Sequence, residues 1–322
     1  MAMRITIVTP ANAGRTAGNR VTAVRWSLIL RGLGHRVRLK TGYDGRPCDV
    51  LIALHARKSA AAVARFRLLR PRGGLIVALV GTDLYVDLKR RDPRALASID
   101  AADRLVTLQP LAVREVPRRR RASVRTIFQS VARGPVRPAG RARESFVVAV
   151  VGHLRTVKDP FRAALAAREL PESSRIAIAH AGSALTPAMA SRARAEMKRN
   201  PRYHWLGALS PARARALIGF ADAFVLSSHS EGGANALGEA IVAGVPVLAS
   251  FISGSVGLLG RRYPGYFAPR DTAALARLLL RVETDRAFRM RLRRAVSVRA
   301  KLFTVARESA AWRALLNEMA AA

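Results

Sequence analysis

The sequence has little cysteine, little lysine and few aromatic residues, and each shortage bears on the class of protein. One cysteine, Cys48, among 322 residues excludes an internal disulfide and favours a reducing compartment, so we expect a cytoplasmic protein. Aromatic residues make up 6% of the chain, too few to predict a platform on which nucleic-acid bases stack. Only six of the 56 basic residues are lysines. The net charge of +35 therefore comes mostly from arginines, and it fits a biased codon supply at least as well as a nucleic-acid surface.

Long uninterrupted apolar runs are also missing. One long uncharged run, 240–260, contains Gly244, Pro246 and several serines, which predicts helix, strand and loop rather than a membrane span. Pro10 cuts short the apolar start of the chain, so no signal peptide is expected. The sequence contains no Asp-x-Asp triplet, so we expect no catalytic metal ion and no cofactor. The residues favour no particular oligomeric state.

The chain does have a regular alternation of short apolar runs and helical patterns, in two halves. The runs predicted as strands are 4–9, 35–40, 49–55, 75–80, 104–108 and 124–128, then 146–151, 175–180, 203–207, 223–226 and 245–250. Such alternation predicts an α/β protein with two Rossmann-like, doubly wound parallel sheets that bind ligands at the carboxyl ends of their strands. The proline-, glycine- and arginine-rich stretch 131–143 is the predicted linker. We expect an N-terminal domain over 1–135, a C-terminal domain over 145–303 and a last helix over 304–322.

The stretch 227–239 carries the strongest functional signal. An apolar strand, 223–226, leads through a double glycine into a helical pattern that stops at Gly244. The first N–H groups of that helix are predicted at Gly233, Ala234 and Asn235. A glycine-bearing turn at a helix start binds anions, most naturally phosphate, because free N–H groups and the positive end of the helix dipole meet there.

Two glutamates bracket that turn. Glu231 lies in the loop before the helix, and Glu239 lies about one and a half turns inside it. Carboxylates accept hydrogen bonds from sugar hydroxyls, so one ligand can present a pyrophosphate in the middle and a sugar toward each glutamate. A nucleotide-sugar has that layout. The plainer interpretation is a solvated loop charge and an ordinary helix residue.

A second candidate anion loop follows the first strand of the second half. Gly152 and His153 come directly after the strand, and Arg155 and Lys158 lie before Pro160, which can open the next helix at its first turn. Cations in this loop would face a diphosphate at the carboxyl end of the sheet. The alternative is two ordinary surface cations at a helix start.

The corresponding loops of the first half supply candidates for the other substrate. The loop 10–18 contains Gly14, and it is not a GxGxxG fingerprint; a flexible surface loop is the alternative to a lid over a phosphate. The candidate acceptor-side residues follow the first and fourth strands and are Gly18, Asn19, Arg20, Thr82 and Asp83.

The region around 227–239 resembles the donor site of retaining nucleotide-sugar glycosyltransferases whose two Rossmann-like halves face each other across a cleft, the GT-B fold of family 4-like enzymes. The resemblance covers nearly the whole chain. It implies that Glu231 meets the transferred sugar, that Glu239 holds the ribose, and that the last helix crosses back onto the first domain. Lys158 matches the family's lysine, whereas His153 stands in place of its arginine, and Arg155 is the candidate to supply that charge. The donor-binding residues so implied are Gly152, His153, Leu206, Gly207, Gly232, Gly233, Ala234, Asn235 and Glu239, with Glu231, Lys158 and Arg155 as catalytic residues.

One departure narrows the implied function. Many relatives carry a histidine where this chain has Val80, and an acceptor that is already a strong anionic nucleophile needs no general base. The segments 18–23, 53–60, 81–85, 108–111, 157–162 and 231–235 together resemble the selenosugar synthases of selenoneine biosynthesis. That resemblance implies transfer of N-acetylglucosamine (GlcNAc) or glucose from its UDP derivative to selenophosphate. The alternatives are an O-glycosyltransferase with a sugar or lipid acceptor and a basic nucleic-acid-binding protein on a Rossmann scaffold.

Overall fold

The computed structural model describes residues 2–10, 18–136 and 144–321. Most of the loop 10–18, including Gly14, and the linker residues 137–143 lie outside the described residues. The chain folds into two compact units. The first consists of Met1–Ser130, Glu231–Gly233 and Phe303–Ala322, and the second of Val131–Ser230 and Ala234–Leu302.

The first unit is built on a six-stranded parallel sheet in the order β2-β1-β3-β4-β5-β6. Its strands are β1 (Arg4–Val8), β2 (Arg36–Lys40), β3 (Val50–Leu54), β4 (Gly74–Leu79), β5 (Arg104–Thr107) and β6 (Val124–Thr126). Three helices connect them: α1 (Gly18–Gly32), α2 (Ala60–Leu69) and α3 (Pro93–Ala101). A π-helical turn, Asp83–Asp87, and 3-10 turns at Pro110–Glu115 and Arg118–Ser123 complete the connections.

The second unit has a second six-stranded parallel sheet, in the order β12-β11-β10-β7-β8-β9. Its strands are β7 (Phe146–Val151), β8 (Ile176–Ala181), β9 (Tyr203–Trp205), β10 (Ala223–Leu226), β11 (Val247–Ser250) and β12 (Tyr266–Phe267). Its helices are α4 (Arg162–Arg168), α5 (Pro187–Arg199), α6 (Pro211–Phe220), α7 (Asn235–Ala243), α8 (Ser253–Leu259), α9 (Thr272–Thr284) and α10 (Arg286–Ala300). The predicted pair of doubly wound parallel sheets is confirmed.

The last helix, α11 (Val305–Ala320), belongs to the first unit. Its Trp312 meets Trp26 of α1 edge to face, with ring centroids 4.8 Å apart. Buried Glu308 accepts hydrogen bonds from Trp26 Nε1 at 2.9 Å and from the backbone N–H of Ser130 at 2.6 Å. These contacts fix α11 against α1 on one face of the first sheet. The opposite face packs on α2 and α3, around the fully buried Phe66.

Two helices begin later than the sequence predicts. The helix expected to open at Pro160 begins at Arg162, because Asp159 has a left-handed backbone with φ +43° and ends a 3-10 turn there. In α7 the N-cap is Ala234, so the N–H groups of the first turn are those of residues 234–237, and Gly233 lies before the helix. Within the described residues, no helix is long and apolar enough to cross a membrane.

Candidate active site

The strand order of the second sheet reverses between β7 and β10. The chain continues from β7 to β8 on one side, whereas β10 lies on the other side. In doubly wound parallel sheets, ligands bind outside the carboxyl ends of the strands at such a point, because the loops there lead away in opposite directions and leave a crevice. A small cavity lies at this point. It is lined by the ends of both strands and by Lys158, Pro160 and His180.

The loop after β7 is anchored by its backbone. The N–H of Gly152 donates to the carbonyl of Ala181 at 2.9 Å, and the N–H of the fully buried Leu154 donates to Ser183 at 2.9 Å. His153 Nδ1 accepts a hydrogen bond from the N–H of Ser183 at 3.2 Å. This bond fixes the orientation of the His153 ring beside Ser183.

The candidate cations sit at the two ends of one tight turn. The N–H of Lys158 donates to the carbonyl of Arg155 at 2.9 Å, which closes the 3-10 turn Thr156–Lys158. Both side chains are half-buried. The carboxylate of Asp159 pairs with Arg162 at 2.8 Å, so that negative charge is already matched by a neighbouring cation.

The loop after β10 is bonded directly to this turn. Ser227 Oγ contacts the carbonyl oxygens of Lys158 and Asp159 at 3.1 and 2.9 Å, and the N–H of His229 donates to Val157 at 2.8 Å. These bonds hold the lysine turn beside the segment that leads to α7. The structure therefore joins the loop that carries Arg155 and Lys158 to the loop that follows β10.

The two glutamates occupy different surroundings. Glu231 is buried in the loop before α7, and Glu239 is half-buried on the second turn of α7. Asn235 is the first residue of that helix, and no acidic residue lies in the first turn. The positive end of the α7 dipole is therefore not offset by a carboxylate within the helix's own first turn.

Gly232 and Gly233 belong to the first compact unit, and close packing there requires glycine at these positions. A Cβ on Gly232 would lie 2.3 Å from the carbonyl oxygen of Val80, and one on Gly233 would lie 2.6 Å from Cβ of Leu108. Real Cβ atoms do not approach backbone oxygens so closely, so a side chain at position 232 would displace the loop. Close packing is therefore a structural reason for the two glycines, in addition to the phosphate-binding role proposed from the sequence.

Another glycine at the site, Gly182, was missed by the sequence reasoning. Val151 pairs with Ala181 across β7 and β8, so the next residues, Gly152 and Gly182, are also neighbours. A Cβ on Gly182 would lie 1.9 Å from the carbonyl oxygen of Gly152. Only knowledge of the strand register identifies this contact, since nothing in the local sequence marks Gly182.

His180 supports the same backbone and was also missed as a site residue. Its Nε2 lies 3.1 Å from the carbonyl oxygen of Gly152, and its Nδ1 lies 3.0 Å from the hydroxyl of Tyr203. Burial lowers the pKa of His180 to about 4. The ring is therefore neutral at pH 7, donates to Gly152 and accepts from Tyr203, which holds the loop after β7 in place.

Leu206 and Gly207, two of the donor-binding residues implied by the resemblance, follow β9. The N–H of Leu206 donates to the carbonyl of His180 at 2.8 Å, and the carbonyl of Gly207 accepts from the N–H of Gly182 at 2.7 Å. The Leu206 side chain is 44% exposed, so an apolar surface is available for a ring to cover. Gly207 has φ +67°, a left-handed conformation that glycine adopts without steric cost.

In the first unit, the residues after β4 form a buried turn. Asp83 is fully buried, and its carboxylate accepts from the N–H groups of Ala56, Gly81 and Leu84 at 3.2, 2.8 and 3.1 Å. Its carboxylate therefore holds the turn together. Thr82 is half-buried, and its hydroxyl lies 2.9 Å from Nε2 of His55.

The other acceptor-side candidates begin α1. Gly18 is exposed, and Asn19 and Arg20 are half-buried, all within the first turn of the helix. No acidic residue lies in that turn. Over the described parts of the chain, no group of three or more His, Cys, Asp or Glu side chains is arranged to hold a metal ion.

Comparisons with known proteins agree with this architecture. The family model of glycosyl transferases group 1 matches residues 136–299, just over half of the chain. Sucrose-phosphate synthase from Thermosynechococcus elongatus is 16% identical, with 99% of both chains covered and a TM-score of 0.79. Anabaena HepE in complex with UDP-glucose is 14% identical, covering 99% of this chain and 100% of that one, with a TM-score of 0.76.

A glycosyltransferase from Rickettsia africae is also similar, at 14% identity over 99% of this chain and 98% of that chain, with a TM-score of 0.71. At these identities the likeness to solved structures concerns the fold. No curated protein matches the chain. The family model, by contrast, covers both the loop after β7 and the loop after β10. The chain belongs to the glycosyl transferases group 1 family.

Proposed function

We propose that the protein transfers GlcNAc or glucose from its UDP derivative to selenophosphate and so forms a carbon–selenium bond. The observation that carries the donor half is that the Arg155–Lys158 turn is hydrogen-bonded to the loop leading to α7, at the switch point of the second sheet. Membership of the glycosyl transferases group 1 family supports a nucleotide-sugar donor. UDP-glucose bound in Anabaena HepE supports UDP as its nucleotide.

Each group of donor-site residues contacts a different part of the UDP-sugar. Lys158, Arg155 and the N–H groups at the start of α7 stabilise the leaving diphosphate, where negative charge develops in the transition state. Glu239 holds the ribose, and Glu231 contacts the transferred sugar. The base lies against Leu206 and Gly207, and Gly152, His153 and the residues 232–235 line the phosphates.

The acceptor is bound by the first unit, at Gly18, Asn19, Arg20, Thr82 and Asp83. The segments that resemble selenosugar synthases include both stretches that carry these residues, 18–23 and 81–85, and Val80 occupies the position at which many relatives carry a histidine. A neutral hydroxyl acceptor needs a general base, which contributes about 10²–10⁴-fold to such a step. Selenophosphate arrives as an anion and needs none.

The reaction balances without an oxidant or a metal ion. A selenium lone pair forms the bond to the anomeric carbon, and the bond from that carbon to the diphosphate oxygen breaks with its electron pair leaving on UDP. Transfer of the phosphoryl group to water then releases phosphate and the selenosugar. We assign the acceptor domain to 1–135, the donor domain to 145–303 and the returning helix to 304–322, in a cytoplasmic enzyme that needs no cofactor.

The decisive experiment pairs one donor with two acceptor classes. Purified protein treated with chelator is incubated with UDP-GlcNAc and either selenophosphate or an alcohol acceptor (a simple sugar or a lipid alcohol). The release of UDP is followed. We expect UDP release with selenophosphate, less with thiophosphate because sulfur is less polarizable, and little with the alcohol. Robust transfer to the alcohol with none to selenophosphate would instead make the protein an O-glycosyltransferase.

A further inference from the structure

His55 stands out in the first unit because a non-glycine residue has a left-handed backbone at the end of a buried strand. Its φ is +74°, and its side chain is 2% exposed. Such a conformation costs free energy and persists where the surroundings fix it, frequently at functional sites. Here the N–H of His55 donates to Ala78 at 2.8 Å and its carbonyl accepts from Ser59 at 3.0 Å.

The position of His55 in the sheet is also that of a ligand site. It follows β3, and the strand order of the first sheet reverses between β1 and β3. The carboxyl ends of these strands are therefore the expected place for a ligand in this unit. The strained backbone aims a buried imidazole toward this edge, where its Nε2 meets Thr82.

The hydrogen bonds of the His55 ring determine which of its two nitrogens carries the proton. The N–H of Lys58 donates to His55 Nδ1 at 3.4 Å, so Nδ1 presents a lone pair. A neutral ring then carries its proton on Nε2 and donates it to Thr82 Oγ1 at 2.9 Å. A hydroxyl has one proton, so a Thr82 oxygen that accepts from His55 keeps its own proton for another acceptor.

Burial favours the neutral form of the His55 ring, against the effect of two nearby carboxylates. Burial lowers the pKa of His55, and Lys58 lowers it further, while the carboxylates of Asp83 and Asp87 act in the opposite direction. The Asp83 carboxylate is engaged by backbone N–H groups. Asp87 lies 3.9 Å from His55 Nε2 and 3.6 Å from Arg57, which also pairs with Asp92 at 3.0 Å. The pairing of Arg57 with Asp87 and Asp92 reduces the repulsion that an incoming anion meets.

We propose that His55 is a positioning residue that fixes the Thr82 hydroxyl as a hydrogen-bond donor to an anionic oxygen of the acceptor substrate. The proposal rests on the proposed function in placing the acceptor at this edge, and it adds the reason for selectivity. Because Nε2 already carries a proton, the His55–Thr82 pair donates a hydrogen bond but does not withdraw a proton. The pair therefore favours an acceptor that arrives deprotonated, such as selenophosphate, over an alcohol.

The test compares variants that remove the His55–Thr82 hydrogen bond with variants that keep a donor at each position. Thr82→Val removes the hydroxyl with little change of shape, and His55→Leu removes the donor to Thr82. We expect each to raise the KM for selenophosphate about 10- to 100-fold, as for one hydrogen bond to a charged group, with the affinity for UDP unchanged. Thr82→Ser and His55→Gln retain a donor and should stay within about 3-fold of the wild type.

Two features separate positioning from mere structural support. The double variant Thr82→Val/His55→Leu should lose little more than either single variant, because the two side chains act as one unit. Ser98→Ala is the matched control. Ser98 Oγ donates to the carbonyl of Ala56 at 2.8 Å and supports the same turn, but it is not part of the His55–Thr82 pair. It should lower the melting temperature and leave the KM unchanged.

Binding is measured independently of turnover, by titrating selenophosphate into each protein in the presence of UDP. A wild type that binds selenophosphate tightly, loses that binding in Thr82→Val and yet transfers no sugar would support the donor pair and reject the proposed function. Unchanged selenophosphate affinity in both Thr82→Val and His55→Leu would overturn the donor pair, as would a wild type that binds no selenophosphate.

Discussion

Ser227 Oγ lies 3.1 Å from the main-chain carbonyl oxygen of Lys158, and this contact joins the loop after β10 to the loop after β7. The same hydroxyl contacts the carbonyl of Asp159 at 2.9 Å. A buried serine thus fixes the backbone from which the lysine side chain projects. The arrangement fits a cation that must hold a fixed position while charge develops on a leaving group, because preorganised donors act without reorganisation at the moment of reaction.

Lys158→Ala should therefore reduce turnover without unfolding the protein. Loss of one donor to developing charge typically costs about 10²–10³ in rate, and the half-buried side chain contributes little to the core. The comparison variant is Lys198→Ala, which removes an exposed lysine from α5 and should have no effect on rate. Near-normal turnover in Lys158→Ala, at an unchanged melting temperature, would contradict the assigned role.

Alanine substitutions of the two glutamates should have different effects on the affinity for UDP. UDP contains the ribose but lacks the transferred sugar, so Glu239→Ala should weaken UDP binding and Glu231→Ala should leave it nearly unchanged. Turnover should fall in both. Calorimetry with UDP measures the difference, and equal loss of affinity in the two variants would remove the division between ribose and sugar.

Gly152 and Gly182 should respond differently to alanine, although they are neighbours. A Cβ on Gly182 would lie 1.9 Å from the carbonyl oxygen of Gly152, whereas the nearest atom to a Cβ on Gly152 is Lys158 Cδ at 3.9 Å. Gly182→Ala should lower the free energy of unfolding by about 1–3 kcal/mol, as overpacking does. Gly152→Ala should keep the stability and lower the turnover, since its methyl group would enter the proposed phosphate site. Thermal melts beside rate measurements test both statements.

The buried His180 should make the stability depend on pH. Its pKa of about 4 lies below the ordinary value of 6.5, so between these values the unfolded chain binds more protons than the folded one. The free energy of unfolding should fall as the pH drops from 6.5 toward 4, by at most about 1.4 kcal/mol per pH unit. His180→Gln should be less stable at pH 7 and show a shallower slope in denaturant melts. Parallel slopes in the two proteins would exclude His180 as the cause.

The local sequence was sufficient for the fold class and for identifying candidate segments of the site. The alternation of apolar runs and helical patterns predicted both parallel sheets, because each strand and helix carries its own periodicity. Glu231, Glu239 and the glycines between them were visible for the same reason, since a strand, a turn and a helix lie within one short stretch.

The missed features depend on partners that are distant in the sequence. Gly182 matters because the register of β7 and β8 places it against Gly152, and His180 matters because it bonds the same carbonyl. The His55–Thr82 pair joins the ends of β3 and β4, 27 residues apart. Periodicity reports which face of an element is buried, but it does not report which neighbour that face meets.

Mass analysis of the product formed from UDP-GlcNAc and selenophosphate tests the proposed reaction most directly. The expected result is a GlcNAc species that carries the selenium isotope pattern, together with equal amounts of UDP and phosphate, in the presence of chelator. A sugar product without selenium, or UDP release that does not depend on selenophosphate, would contradict it.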